Sequence, residues 1–258
     1  VKTSLGMLPL SAWGRNEMND TMWVSDQAGI EKYLSLFVWK GQHSKAGFDC
    51  IGAPDNRSNG DGHLTAPHYA GFMVLHADKS AQDHSHDSAQ PTTTQYLGSD
   101  VNITSGNDPY NEPKMALEYA AMTAGHPAKS HADGCIASGQ AADEYLGTVG
   151  GFSHCAGFGP YTIAPGDSVH IVLVEAIAGL GREACYTVGA KWFKEEQPYD
   201  LPGGGTTTDK NEYKNRWVYT GRDSLIKTFQ RAIANYKSGY KIPVPPPAVM
   251  RARSMPTD

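Results

Sequence analysis

The four cysteines, Cys50, Cys135, Cys155 and Cys185, form no CxxC, CxxCH or zinc-ribbon spacing. That excludes a zinc knuckle and covalently attached haem from the expected chemistry. An even number at wide spacing leaves three disulfide pairings open, and equally four free thiols. Charge is sparse: 19% of the 258 residues are Asp, Glu, Lys or Arg, with 22 basic against 27 acidic side chains and a net charge of −5. No basic stripe runs along the chain, which argues against a nucleic-acid partner. The longest apolar run, around 169–180, is too short to span a bilayer and contains Glu175. The chain shows no signal-peptide pattern and opens at Val1 without a methionine, so removal of an upstream segment is expected.

What the chain has instead is glycine (28), proline (16) and many Asn, Ser and Thr. Such a composition favours strands joined by turns. Pro165-Gly166-Asp167 reads as a turn, because proline pre-sets φ and glycine accepts a positive one. Val169 to Ile177 then reads as a strand apolar on both faces, covered on both sides within a sheet. There, Glu175 is either a buried acid or base or a strand-end residue paired with a cation, the second being preferred. Ile30–Lys40 and Tyr69–Ala77 are two further strands. Segment 52–67 is dense in turn formers, and 78–111 is long enough to carry short strands or a functional loop.

Three helices are expected. Pro113 suits the first turn of one over 112–124, with Met115, Tyr119 and Met122 on one face and Gly125 as its cap. A second spans 183–196, with Cys185, Val188, Gly189, Trp192 and Phe193 inward. A third starts at Asp223 and ends at Gly239, with Leu225, Phe229, Ala232, Ile233 and Tyr236 as its apolar stripe. Segment 125–160 reads as loop. The fold class is α+β: a β-sandwich or large, mostly antiparallel sheet with two to three packed helices. Residues 1–240 make one domain and 241–258 a proline-rich linker or tail. Ile242-Pro-Val-Pro-Pro-Pro favours extended polyproline II, a spacer to a downstream domain of the same precursor.

The densest polar cluster is His76-Ala-Asp-Lys-Ser-Ala-Gln-Asp-His-Ser-His-Asp87. On a strand His84 and His86 share a face. With Asp83 or Asp87 as oxygen ligand and His76 or His68 as third imidazole, the set suits zinc, copper or iron. The alternative is a solvated loop of turn formers. Asp55, Asn59 and Asp61 supply oxygens around glycines, as does 100–112, and point to calcium, though neither matches the EF-hand spacing. Calcium is the first cofactor expected and a transition metal the second. Trp13, Trp23 and Trp217 lie in polar surroundings and are candidates for stacking on sugars; Trp39 and Trp192 read as core. Ser153, His154 and Cys155 are adjacent, so on a strand they alternate between faces and form no catalytic pair. Ser224 in Gly-Arg-Asp-Ser-Leu reads as a helix start.

Gly159-Pro-Tyr-Thr-Ile-Ala-Pro-Gly-Asp-Ser-Val, Ala178-Gly-Leu-Gly-Arg-Glu, Trp217 to Ser224 and the proline run together resemble an uncharacterised module of large secreted bacterial proteins. In those proteins the linker leads to a fibronectin-like or C-terminal sorting domain. The resemblance covers 68–247 and consists mostly of turn and packing residues. It implies a secreted or cell-surface β-rich module and lends no catalytic residue. The composite expectation is a non-catalytic module that binds a polysaccharide or surface-protein partner, carbohydrate first, or is structural. The alternatives are a metal-dependent hydrolase or oxidase using the His/Asp cluster, favoured if His76, His84 and His86 cluster around one transition metal, and a self-assembling filament subunit.

Overall fold

The structure, a computed structural model, describes residues 2–7, 17–44, 50–98, 110–145 and 152–241. In chain order its strands are Lys2–Met7 (β1), Glu17–Ser25 (β2), Lys32–Lys40 (β3), Gly52–Pro54 (β4), Leu64–Ala66 (β5), His68–Ala77 (β6), Thr93–Gly98 (β7), Phe152–Thr162 (β8), Ile171–Gly179 (β9), Tyr199–Asp200 (β10) and Thr206–Thr207 (β11). The helices are Glu112–Met122 (α1), His131–Ser138 (α2), Arg182–Lys194 (α3) and Lys210–Lys237 (α4). The main sheet runs β2-β3-β6-β9 and a second runs β1-β8-β7, all pairs antiparallel, with β4-β5 and β10-β11 as small hairpins. The fold is α+β.

Period-two alternation explains the layering. On one face of the main sheet Val24, Tyr33, Phe37, Tyr69, Met73 and Leu75 pack against Leu225, Phe229 and Ile233 of α4. On the other, Leu36, Phe72, Val74 and Ala77 meet Ala156, Phe158 and Tyr161 of β8. Strand β6 is therefore covered on both sides, as its unbroken apolar run predicts. A third core joins α3 and the first turns of α4 to the β4-β5 hairpin through Leu64, Val188, Trp192, Tyr213 and Val218. Gly189 makes that approach possible: a Cβ there would lie 2.2 Å from the Gly62 carbonyl oxygen.

Several expectations are corrected. β9 lies at the sheet edge, with Glu175 and Ile177 exposed, so Glu175 is no buried acid. Its apolarity serves the two packed faces of its even-numbered residues and of Leu173, not a central position. The last helix begins thirteen residues before Asp223: Asp209 is the cap, accepting from the Asn211 and Glu212 N–H groups, and Asp223 and Ser224 lie inside the helix. Segment 125–160 carries α2 and most of β8. In α1 no residue is buried, and Met115 and Tyr119 are exposed. Phe193 is also exposed. Gly125 has φ +79° but lies beyond the cap Thr123. All four cysteines are free and buried, so none of the three pairings forms. Trp13 and the segments 100–109 and 242–258 lie outside the described residues.

Candidate functional sites

Two sites occupy opposite ends of β6. At its start, Tyr69 pairs in register with Trp39 of β3, and Phe37 sits two residues along the same face. Trp39 stacks on Tyr69 at 5.5 Å and on Phe37 at 5.6 Å between centroids. These rings floor a cleft of about 420 Å³ between the sheet, α2 and α4. Asp20 of β2, Asp133 of α2, and Tyr219 and Arg222 of α4 also line it. Burial raises the pKa of Asp20; its hydrogen bonds to Ser130 and the Thr21 N–H pull the other way, Asp133 raises it further and Arg222 lowers it. The cleft thus combines an aromatic floor with two carboxyl groups and one guanidinium.

At the other end of β6, about 20 Å away along seven residues of strand, the register slips between Val74 and His76. A bulge of this kind re-aims side chains. His76 donates from Nε2 to Asp78 Oδ1 at 2.8 Å, and His84 donates from Nδ1 to Asp78 Oδ2 at 2.7 Å. The His170 N–H gives Asp78 Oδ2 a third bond at 2.7 Å. Asp78 is fully buried. Burial alone would raise its pKa, but the bonds from His84, His76 and His170 hold it at about 2. The His86 and His170 rings lie 5.6 and 5.5 Å from that of His76.

Of the predicted cluster, His76 and His84 meet at Asp78 and the His86 ring packs beside His76, but the three do not converge as one set of ligand atoms among the described residues. The carboxylate that His76 and His84 share belongs to Asp78, however, not to Asp83 or Asp87. Asp83 is occupied by the Ser85 N–H and hydroxyl, and Asp87 by the Ala89 N–H and the Gln90 amide. His68 is at the far end of β6 and does not join them. Asp78 and His170 were missed. Asp78 follows His76 at strand spacing, a signal available in the sequence; His170 reads as part of an apolar strand, and only the β6-β9 pairing brings it near.

The calcium candidates fare differently. Asp55, Asp61 and His63 approach one another in the β4-β5 loop, while Asn59 is merely exposed. Asp55 is bound by Arg57 through two hydrogen bonds at 2.7 and 2.8 Å, which hold its carboxyl at about 2. Asp61 is paired with His63. Two carboxylates, one committed to an arginine, fall short of the six to eight oxygens calcium takes. Trp23 and Trp217 do not converge. Trp23 is exposed on edge strand β2, on the face away from α4, and the Trp217 indole donates to the Asp200 carbonyl at 3.0 Å. The tryptophan at a cleft is Trp39, which reads as core because the residues around it in β3 are apolar.

No protein-family model, curated protein or solved structure matches the chain.

Proposed function

We propose that the chain is a non-catalytic, extracellular ligand-binding module whose contact site is the aromatic cleft and whose ligand class is carbohydrate. The observation that carries this reading is the placement of Asp20, Asp133 and Arg222 around the Trp39–Tyr69–Phe37 floor. A sugar offers apolar C–H patches and hydroxyl groups together. The half-buried Trp39 ring, backed by the buried Phe37 and Tyr69 rings, accepts the first, and planar charged groups bond the second with fixed geometry. A cleft of about 420 Å³ is within the range of small-ligand sites. Placement outside the cell is supported by the resemblance to secreted modules; the free cysteines lend it nothing. The competing hydrolase or oxidase reading needs substrate space beside the histidines, whereas this cleft is at the other end of β6.

The test is a glycan array probed with the full chain, followed by calorimetric titration of hits against Asp133→Ala and Arg222→Ala. Both residues are exposed, so the fold tolerates their loss. A hit weakened at least about tenfold in both variants supports the reading. No glycan bound at millimolar concentration, or unchanged affinity in both variants, overturns it.

A further inference from the structure

We infer that the distal end of β6 is a transition-metal site, with His76, His170 and Asp78 as protein ligands and His84 as the residue that orients Asp78. The site is separate from the cleft and does not depend on the carbohydrate reading.

One ligand atom from each of His76, Asp78 and His170 lies within 4.8 Å of the other two. Zinc–nitrogen and zinc–oxygen bonds of about 2.0–2.2 Å in a tetrahedron place neighbouring ligands about 3.3 Å apart. The backbone is already fixed: the Asp78 N–H donates to the His170 carbonyl at 3.0 Å and the His170 N–H returns to the Asp78 side chain. The two ligand-bearing strands are therefore clamped at the point where the ion would sit.

Charge argues the same way. Asp78 is a fully buried carboxyl group facing the His76 and His84 imidazoles. A carboxylate buried away from water is costly unless a positive charge lies beside it. A divalent cation supplies the charge. The Tyr161 hydroxyl is also buried, has no hydrogen-bond partner among the described residues, and feels the charges of Asp87 and Asp78.

The chemistry selects the ion and the ligands. Two nitrogens and one oxygen suit zinc and its transition-metal neighbours and disfavour calcium and magnesium. His86 is not a ligand, since its Nδ1 accepts the Ala77 N–H at 3.3 Å and its proton then resides on Nε2. His84 donates from Nδ1 to the same carboxylate, the arrangement by which outer partners orient a metal's ligands. Bound metal would tie the 78–87 loop and the start of β9 to the end of β6.

The experiment uses the full, untagged chain, stripped with chelator and checked for folding by circular dichroism. Zinc chloride is titrated calorimetrically, with calcium chloride as the control. The expected result is one zinc per chain and no calcium heat. His170→Gln, whose side chain is exposed, should weaken zinc on the order of 100-fold, and His84→Gln about tenfold. His76→Gln is the second ligand variant, should His170→Gln fail to fold. Cobalt in place of zinc should give tetrahedral d–d absorption that both ligand variants lose. No zinc binding, or binding that survives both ligand variants and disappears in His63→Gln, overturns the assignment; the latter would place the ion in the β4-β5 loop.

Discussion

Trp39 and Tyr69 are cross-strand partners of β3 and β6, their rings stacked 5.5 Å apart at 16°. Helix α4 reaches this pair only because residue 221 is glycine. A Cβ there would sit 2.8 Å from the Tyr69 ring and 3.2 Å from the Gly179 Cα. The cleft floor and the helix that walls it are therefore set by one close contact.

Gly221→Ala should accordingly act twice. Overpacking at this contact should cost about 1–3 kcal/mol in urea unfolding. The displaced Tyr69 ring should also weaken any cleft ligand, although residue 221 does not line the cleft. Wild-type stability together with wild-type affinity would contradict the contact.

Phe229 sits at the centre of the α4–sheet core and is fully buried. Phe229→Ala should destabilise the chain by about 3–5 kcal/mol. The exposed Phe193→Ala on α3 should change stability far less. Equal losses in urea denaturation would mean that the core has been placed wrongly.

Stability should peak near pH 6.5. Burial pushes His131 down to about 4, against the bond to the Ala142 carbonyl, and His154 down to about 3, with His131 adding to the effect. Their folded pKa values lie below the unfolded value of about 6.5, so the unfolded chain protonates first and stability falls as pH drops below it. Glu17 behaves in the opposite sense: burial raises it to about 8, partly offset by Lys40, and its Oε2 has no hydrogen-bond partner among the described residues. A carboxyl with a raised folded pKa loses stability as pH climbs from about 4.3 to 8. Below pH 6.5 the two imidazoles outweigh the one carboxyl. Above it the imidazoles no longer titrate and Glu17 leads the decline, costing up to about 2 kcal/mol by pH 8. Glu17→Gln should flatten that alkaline limb in melts at pH 5, 6.5 and 8. A wild type as stable at pH 8 as at 6.5 would refute the assignment.

The thiols give a direct count. Burial pushes Cys135 and Cys155 up to about 11, so both are protonated and enclosed at pH 8. A thiol reagent should react slowly with the native chain and reach four equivalents in guanidinium. Zero or two equivalents in denaturant would restore a disulfide.

Local signals carried the fold a long way. The apolar runs located β3 and β6, the Pro165-Gly166 turn marked the entry to β9, and Leu225, Phe229 and Ile233 showed which face of α4 is buried. What local pattern could not supply was partnership. A run such as Val169–Ile177 looks alike at the centre or the edge of a sheet, and only strand order separates the two. α2 is eight residues long, with an apolar signal diluted by Asp133 and Gly134, so the segment reads as loop. Asp209 escaped notice because the glycines and threonines before it resemble a flexible break. At the sites, His76, His84 and His86 stand out as a cluster, but Asp78, which holds His76 and His84, acquires its role from burial, and His170 from strand pairing across 92 residues. Trp39 reads as core on its apolar neighbours, and its position at a cleft depends on helices far along the chain.

The most direct test of the account follows the tryptophan indole N–H resonances in a nitrogen–proton correlation spectrum while the best glycan from the array is titrated in. Each reports a different place: Trp192 is tied to Asn211, Trp217 to the Asp200 carbonyl, Trp23 lies on the outer strand, and Trp39 lines the cleft. The account predicts that Trp39 moves with saturation while Trp23, Trp192 and Trp217 stay in place. Movement of Trp23 or Trp217 with Trp39 unmoved would contradict it and shift the binding surface to the tryptophans that stand out in the sequence.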